Sequence, residues 1–274
     1  MRRHAIVIGS GFGGLAAAIR LGARGYRVTV LERLDQAGGR AAVFRQDGFT
    51  FDAGPTIVTA PFLFEELWTL CGRRMADDVT LKPLSPFYRL RFDDGACIDW
   101  SGQAEAMRAM VARDYPQDLA GYERLMAFAA RVYRVAFEQL AHVPFSRWQD
   151  MATRLPSLIQ LRAHRSLYAV VASHVRDPHL RFALSFHPLF VGGNPFTTSA
   201  LYALILHLER AGGVHYAMGG TGSLVRGLLD LVRGQGNEVR YEADVQSITL
   251  RGRTASGVRL ASGEQLDADV VVSN

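Results

Sequence analysis

The chain has 274 residues, of which 49% are hydrophobic and 21% charged, and this ordinary globular composition suffices for a large core. The 31 Lys and Arg exceed the 26 Asp and Glu, but the basic residues are scattered, which argues against nucleic-acid binding. The two cysteines, Cys71 and Cys97, and the unclustered histidines argue against a disulfide scaffold and against a metal site. No apolar run reaches the roughly 18 residues of a membrane-spanning helix and no secretory leader precedes the first strand, which predicts a cytoplasmic protein with peripheral membrane contact left open.

The first predicted strand, Ala5 to Ile8, leads directly into a glycine-rich turn and a helical pattern. In such a turn Gly9 permits the sharp reversal, Gly11 lets the backbone approach a pyrophosphate, and Gly14 lets the helix pack on the strand. The start of the helix then offers free N–H groups and a partial positive charge to that pyrophosphate. The order of these elements predicts a dinucleotide-binding fold, against the plainer alternative of a glycine turn without a ligand.

The second predicted strand, Arg27 to Leu31, ends at an acidic residue. Glu32 at this position suits the ribose hydroxyls of an adenosine and repels a 2′-phosphate. The loop Gly38-Gly39-Arg40 has a flexible backbone beside an arginine that is always charged, which suits a second contact with a diphosphate. In the segment FTFDAGPT, Gly54-Pro55 fixes a turn, and its small residues would let a flat ring lie against the backbone.

The middle of the chain is predicted to be mainly helical. Residues 61–75 show helical spacing, and the strands 87–92 and 97–100 are joined by the turn 93–95. From 103 to 212 apolar and aromatic residues recur at helical spacing, which is typical of core positions. In a domain inserted into a nucleotide-binding fold, some of these residues can instead line an apolar cavity.

After a glycine turn at 218–223, the sequence returns to a helix followed by strands. The helix is predicted over 224–232 and the strands over 238–241 and 245–250, with a hairpin around Gly257 and Gly263. A buried strand at 268–273 closes the chain. Because a parallel strand needs a loop and a helix beyond it to cover the sheet, we expect this chain to be the N-terminal part of a longer protein.

Taken together, the motifs resemble those of the bacterial-type phytoene desaturases, a carotenoid-forming branch of the flavin amine oxidase-like superfamily. The resemblance is carried by VIGSGFGGLAAAIRL, GGR, FTFDAGPT, SPFYRL, VGGNPF, GGTGSLVRGL and VVVSN. It implies an α/β, Rossmann-like FAD-binding fold with an inserted, mainly helical substrate domain and with the C-terminal part missing. The implied domains are an FAD-binding part at 1–85, a substrate- and membrane-facing insert at 86–215, and a returning, truncated FAD-binding part at 216–274.

The resemblance also implies roles for individual residues at an FAD site. The glycines of the first loop meet the diphosphate, the acid meets the ribose, the second loop adds a diphosphate contact, and the later segments lie beside the isoalloxazine and the adenine. In chain order these residues are Gly9, Gly11, Gly13, Gly14, Glu32, Arg33, Gly39, Arg40, Gly54, Pro55, Thr56 and Val245.

One position departs from the family pattern. Where the family commonly has an Arg-Asp pair, this chain has Gln149 followed by Asp150. A carboxylate at Asp150 could receive a proton or stabilise positive charge developing on a polyene. The plainer alternative is that Asp150 is the N-cap of the helix that follows it, because Asp is favoured at helix starts.

The implied activity is FAD-dependent desaturation of phytoene to more conjugated carotenes such as lycopene. The implied partners are a long isoprenoid hydrocarbon, the membrane surface, and oxygen or a quinone as electron acceptor, at the inner face of the cell membrane. The alternatives are a related FAD-dependent carotenoid isomerase or amine oxidase, or a non-catalytic isoprenoid carrier of the GDP dissociation inhibitor type. A carrier has no need of a complete diphosphate grip, which favours the enzyme.

Overall fold

The computed structural model describes residues 2–144 and 146–274. The chain divides into two compact units. Unit 1 comprises Met1–Lys82 and His215–Asn274, so the two outer parts of the chain fold together, and unit 2 comprises Pro83–Val214. The predicted divisions at 85 and 215 fall close to these limits, and the functional role of each unit remains a proposal.

The chain contains both α-helices and β-strands. The α-helices are α1 (Phe12–Ala23), α2 (Pro61–Leu70), α3 (Ala104–Asp114), α4 (Leu119–Val132), α5 (Trp148–Gln160), α6 (Leu167–Ala172), α7 (Pro178–Ala183), α8 (Leu204–Gly212) and α9 (Thr221–Gly234). The strands are β1 (His4–Ile8), β2 (Arg27–Leu31), β3 (Val43–Gln46), β4 (Phe49–Asp52), β5 (Ile57–Val58), β6 (Leu81–Pro83), β7 (Tyr88–Arg91), β8 (Cys97–Trp100), β9 (His215–Ala217), β10 (Glu238–Arg240), β11 (Val245–Arg251), β12 (Thr254–Leu260), β13 (Gln265–Asp267) and β14 (Val270–Ser273). Short 3-10 helices occur at Gly39–Ala41, Met75–Asp77, Pro116–Asp118, His187–Val191 and Ala200–Ala203, and Tyr133–Gln139 forms a π-helix.

Unit 1 is built around a parallel sheet with the strand order β10-β2-β1-β14. The inner strands are continuous runs of buried apolar residues, as a sheet covered on both faces requires. One face packs against α1 and α9, and the other packs against the antiparallel meander β11-β12-β13. The order of the strands reverses between β1 and β14, and ligands of such sheets bind in the crevice at the carboxyl ends of the strands at this reversal.

Glycines in the left-handed region set several element boundaries in unit 1. Gly25, with φ of +86°, ends α1 as the sequence predicts. The predicted helix over 61–75 is too long, because Gly72, with φ of +68°, ends α2 shortly after Leu70.

The hairpin predicted around Gly257 and Gly263 is present as β12 and β13 with its turn at Gly263, but Gly257 itself is not a turn residue. The β11-β12 turn forms instead at Gly252, which has φ of +65°. Gly257 lies within β12, where a Cβ would stand 2.1 Å from the carbonyl oxygen of Leu266 on the neighbouring strand. A glycine in a strand therefore marks close approach of two backbones here, not a turn.

Unit 2 is mainly helical around a core of its own. The predicted hairpin is present as β7 and β8, and the guanidinium of Arg89 binds both carboxylate oxygens of Asp99 across it, at 2.7 and 2.8 Å. The helices pack closely: a Cβ at Gly121 on α4 would lie 1.9 Å from the carbonyl oxygen of His174. No helix in residues 2–144 and 146–274 is long and apolar enough to span a bilayer.

Candidate functional site

The glycine loop after β1 has the geometry that its sequence predicts. Gly9 has φ of +93°, and its N–H donates to the carbonyl of Leu31 at 2.8 Å. A Cβ at Gly14 would lie 2.0 Å from the carbonyl oxygen of Gly9, so α1 passes directly over the turn. A Cβ at Gly11 would meet no described atom closer than 3.9 Å. Gly14 is therefore needed for packing, whereas Gly11 leaves open space beside the start of α1.

Glu32 is buried at the end of β2, and its carboxylate holds the glycine loop. One carboxylate oxygen accepts from the Ser10 N–H at 2.9 Å and from the Ser10 hydroxyl at 2.6 Å, and the other accepts from the Leu34 N–H at 3.0 Å. Burial acts to raise the pKa of Glu32, but the hydrogen bonds from the Ser10 hydroxyl and from the backbone outweigh it and lower the pKa.

The Gly38-Gly39-Arg40 loop lies directly against the glycine loop. The Gly38 N–H donates to the Ser10 carbonyl at 3.0 Å, and Gly38 and Gly11 form a parallel bridge. A Cβ at Gly39 would stand 3.3 Å from the Cα of Gly11. The Arg40 side chain is exposed. The structure thus brings together the two segments expected to grip a diphosphate.

The segment that follows β4 joins the same cluster through its backbone. A Cβ at Gly54 would lie 2.1 Å from the carbonyl oxygen of Arg40, so only glycine fits there. The hydroxyl of Thr221, at the start of α9, donates to the carbonyl of Pro55. Asp52 accepts from the Thr221 N–H at 3.1 Å, which caps α9 and explains why this helix begins three residues before the predicted Leu224. Pro55 and Thr56 are exposed.

Two predicted residues remain. Val245 lies near the site because backbone hydrogen bonds hold its segment beside Glu32, and Arg33 lies on the surface. The Glu32 N–H donates to the carbonyl of Arg240 at 2.8 Å, and the Ala243 N–H donates to the carbonyl of Glu32 at 2.8 Å. These bonds hold the segment leading into β11, and hence the half-buried Val245, next to the end of β2. The Arg33 side chain is exposed.

The residues present fit a dinucleotide diphosphate. The N–H groups of the first turn of a helix have no partner within the helix. Within the described parts of the chain no side chain caps the start of α1, and its first turn carries no acidic residue. The helix dipole places partial positive charge there, beside the open space at Gly11. The chain thus offers an anion a row of free donors without a competing carboxylate.

A separate cavity of about 560 Å³ lies between the loop after Glu32 and α9. Its walls include Asp35, Arg45, Arg226 and Tyr241, but none of the residues predicted to contact FAD. The glycine loop is the candidate dinucleotide site, because it offers aligned N–H groups at the strand reversal, which this cavity does not provide.

The prediction that Asp150 is an N-cap is wrong in position. The helix begins at Trp148 with Arg147 as its N-cap, so Asp150 is the third helical residue. Its half-buried carboxylate accepts from the Arg147 N–H at 3.1 Å, which is the contact that an acid makes in a capping box. An acid at this position thus has a structural use, and a catalytic role for Asp150 remains a proposal.

Sequence reasoning missed three residues that hold the segments of the candidate site together. Ser10 and Asp52 act as described above, and Asn274 follows β14. The Asn274 N–H donates to the carbonyl of Ile8 at 3.1 Å, and its side-chain oxygen stands 2.3 Å from where a Cβ of Gly13 would lie. The position of Asn274 could have been predicted from the sequence. Strands that run parallel to β1 end at the same edge of the sheet, so the residue after the last strand, β14, lies near the glycine loop.

In unit 2, sequence reasoning missed a buried polar cluster that joins two of the resemblance motifs. The hydroxyl of Tyr88, from SPFYRL, donates to Glu209 at 2.7 Å. The other oxygen of Glu209 lies 3.2 Å from Nε2 of His187, just before VGGNPF, and both side chains are buried. Burial, reinforced by the Glu209 carboxylate, raises the pKa of Tyr88 well above its ordinary value. No group of three or more His, Cys, Asp or Glu in the described residues could hold a metal ion.

We expect Glu209→Gln to lower the free energy of unfolding by about 2 kcal/mol, because it weakens two buried hydrogen bonds to a charged acceptor. Urea unfolding followed by circular dichroism measures this. Glu123→Gln is the control, since Glu123 is exposed and pairs with Arg108 on the surface. Equal stability of the Glu209→Gln protein and the wild type would show that the hydrogen bonds of Glu209 with Tyr88 and His187 do not stabilise the fold.

Comparison with known proteins identifies the family. Residues 12–274 match the family described as flavin containing amine oxidoreductase. The chain is 47% identical over 271 residues to a neurosporene-forming phytoene desaturase of Cereibacter sphaeroides, covering 99% of this chain and 52% of that protein. It is 47% identical over 272 residues to a lycopene-forming phytoene desaturase of a Paracoccus species, covering 99% of this chain and 54% of that protein. The chain therefore spans about half the length of the curated relatives it matches.

A solved structure shows the same fold. A crystal structure of an oxidoreductase from Methanosarcina mazei aligns with a TM-score of 0.65 at 20% identity, covering 99% of this chain and 58% of that chain. At this identity the likeness concerns the fold alone. The resemblance inferred from the motifs and the predicted fold class are confirmed by these comparisons. The chain belongs to the flavin containing amine oxidoreductase family, with FAD as its cofactor.

Proposed function

We propose that the complete protein is an FAD-dependent desaturase that converts phytoene into more conjugated carotenes. The observation that carries the proposal is the 47% identity, along 99% of this chain, to a phytoene desaturase. The open glycine loop, the buried Glu32 and the adjoining Gly39 support the proposal as the binding surface for the ADP half of FAD. Gly54, packed on the Arg40 carbonyl, supports it as part of the segment proposed to lie beside the isoalloxazine.

When bound, FAD supplies the hydride acceptor for desaturation of a carbon–carbon single bond. The task of the chain is then to bind, orient and exclude water. We assign Gly9, Gly11, Gly13 and Gly14, with the start of α1, to the diphosphate, and Glu32 to the ribose. Arg33 and Val245 flank the adenine, Gly39 and Arg40 make the second diphosphate contact, and Gly54, Pro55 and Thr56 lie beside the isoalloxazine.

Removing a hydride from one carbon requires that the neighbouring carbon lose a proton to an acceptor. The family resemblance makes Asp150 a candidate for that acceptor, but its contact with the Arg147 N–H favours a structural role at the start of α5. Because asparagine keeps a side-chain oxygen for the Arg147 N–H but cannot take up a proton, Asp150→Asn separates the two roles.

We expect Asp150→Asn to retain turnover within about threefold, and Asp150→Ala to lower the free energy of unfolding by about 1 kcal/mol, as for loss of a helix cap. Carotene formation and thermal unfolding of both variants measure this. A fall in turnover of about a hundredfold or more in a stable Asp150→Asn protein would instead assign proton transfer to Asp150.

The remaining elements of the proposal concern partners. A long hydrocarbon substrate is insoluble in water and resides in membranes, so the protein is proposed to work peripherally at the inner face of the cell membrane. Oxygen or a quinone is the proposed acceptor of electrons from the cofactor.

Expression of the complete protein in cells that accumulate phytoene tests the proposed function. The expected result is a yellow or red pigment whose absorption bands report lengthened conjugation. Unchanged phytoene in cells that contain FAD-loaded protein would contradict the proposal and favour a related flavin oxidase or isomerase. A colourless protein that carries no FAD would favour a carrier.

A further inference from the structure

One face of α5, in unit 2, carries large apolar side chains that nothing in the described residues covers. Trp148, Leu155 and Ile159 are 78, 52 and 56% exposed. At about 100° of rotation per residue they fall within an arc of roughly 40°. On the opposite side, Ser157 is only half-buried, so the helix lies on the surface of its unit. A concentrated apolar stripe of this kind marks an interaction surface.

The charged residues around this stripe are almost all cationic. Arg147, Arg154, Arg162 and Arg165 lie within or beside α5, whereas Asp150 is the one acid between positions 147 and 165. The Asp150 carboxylate is occupied by the Arg147 N–H. In the described part of the chain none of the four arginines takes part in an ion pair. The surface thus combines exposed apolar groups with unneutralised positive charge.

A second exposed apolar group lies against the segment that follows α5 in the chain. The segment after this helix is held against the VGGNPF region: the Ala200 N–H donates to the Arg165 carbonyl at 2.9 Å, and the Tyr168 N–H donates to the Pro195 carbonyl at 3.1 Å. The ring of Phe196, which is 62% exposed, lies 4.5 Å from that of Tyr168. The apolar stripe of α5 is therefore followed by further exposed apolar surface within the same unit.

We propose that α5 docks unit 2 on an anionic phospholipid bilayer, with Trp148, Leu155 and Ile159 at the level of the acyl boundary and the arginines at the lipid phosphates. Helices with one apolar face and a basic polar face lie in the membrane interface in this way. Tryptophan is favoured at that depth, and guanidinium groups bind phosphate through paired hydrogen bonds. A second copy of this chain fits less well, because two such surfaces would bring like charges together.

The inference deepens the proposed function, on which it rests for the need to draw a hydrocarbon from a bilayer. Its test is cosedimentation of the complete, FAD-loaded protein with vesicles of phosphatidylcholine, and with vesicles of phosphatidylcholine mixed with phosphatidylglycerol. The apolar variant is Trp148→Ser with Leu155→Ser and Ile159→Ser, and its control is Leu63→Ser with Leu70→Ser, which changes exposed leucines on α2. The charge variant is Arg154→Gln with Arg162→Gln, and its control is Arg251→Gln with Arg253→Gln, which removes equal charge from exposed positions of unit 1.

We expect the wild type and both controls to bind the anionic vesicles at least about tenfold more tightly than the apolar variant. We expect the charge variant to lose about fivefold per arginine on anionic vesicles and little on phosphatidylcholine. Equal binding by the wild type and both α5 variants would overturn the inference, as would a dimer of the wild type that the apolar variant abolishes while vesicle binding is unchanged. Turnover on detergent-dispersed phytoene is measured separately, so failure of docking is distinguished from failure of the proposed function.

Discussion

Replacement of Glu32 by alanine is expected to lower the free energy of unfolding by about 3 to 5 kcal/mol and to weaken FAD binding at least about tenfold. The variant removes the acceptor for three hydrogen bonds, two from Ser10 and one from Leu34, in a buried place where water cannot replace it fully. It also removes the acceptor proposed for the ribose. Urea unfolding of the FAD-free protein and a fluorescence titration with FAD measure the two effects.

The matched control for this prediction is Glu66→Ala. Glu66 is also in unit 1 and also accepts a hydrogen bond, from Arg20 at 2.9 Å, but it is exposed. We expect its removal to change neither stability nor FAD affinity measurably. A Glu32→Ala protein with the stability of the control would show that the observed contacts do not hold the loop.

The lowered pKa of Glu32 also fixes the direction of a pH effect. Because the carboxylate has a lower pKa in the folded chain than the ordinary value of about 4.3, its stabilising contribution is complete above that value. It is lost as the pH falls through the folded pKa. The stability difference between the wild type and Glu32→Gln should therefore shrink as the pH is lowered from 7 towards 3. A stability difference that stays constant from pH 7 to pH 3 would contradict the lowered pKa of Glu32.

Two glycines of the same loop are expected to differ in how the free energy of unfolding responds to an added methyl group. Gly14→Ala places a Cβ 2.0 Å from the carbonyl oxygen of Gly9, and since that oxygen belongs to the backbone, the turn has to shift. We expect a loss of about 3 kcal/mol of unfolding free energy, together with loss of FAD binding. Gly11→Ala, whose Cβ stays 3.9 Å from any described atom, should keep the stability of the wild type but weaken FAD binding about tenfold or more by occupying the diphosphate space.

Gly234→Ala is the control for both substitutions. This residue is the last of α9, and a Cβ there meets nothing within 4 Å, so alanine should be neutral or stabilising by up to about 1 kcal/mol. Wild-type FAD affinity in Gly11→Ala would contradict the proposed position of the diphosphate. Wild-type stability in Gly14→Ala would contradict the close packing of α1 on the turn.

The parts of the fold that follow from local chemistry could be predicted from the sequence. The strand β1, the turn at Gly9 and the end of α1 at Gly25 depend on residues adjacent in the chain. The same holds for the hairpin β7-β8. The positions of Glu32 and Gly39 beside the glycine loop could also be predicted, because they belong to the motifs of a dinucleotide-binding fold.

The rest depended on contacts between distant segments, which a sequence pattern does not display. The start of α9 is set by Asp52, 169 positions away from the residue it caps. In the sequence Gly257 has the pattern of a turn residue, but in the structure the close backbone of the neighbouring strand leaves no space for a side chain there. The Tyr88–Glu209–His187 cluster joins three segments whose individual patterns are those of ordinary core residues. In each case the physical cause is a tertiary neighbour.

The proposed function requires that electrons pass from phytoene to FAD held by these residues. The most direct measurement is the absorption spectrum of the complete, FAD-loaded protein mixed without oxygen with phytoene in anionic vesicles. We expect the oxidised-flavin absorbance to fall as polyene bands appear. We expect neither change in the Gly11→Ala protein, for which weak FAD binding is predicted. Oxidised-flavin absorbance that persists in FAD-loaded wild-type protein exposed to phytoene would contradict the account.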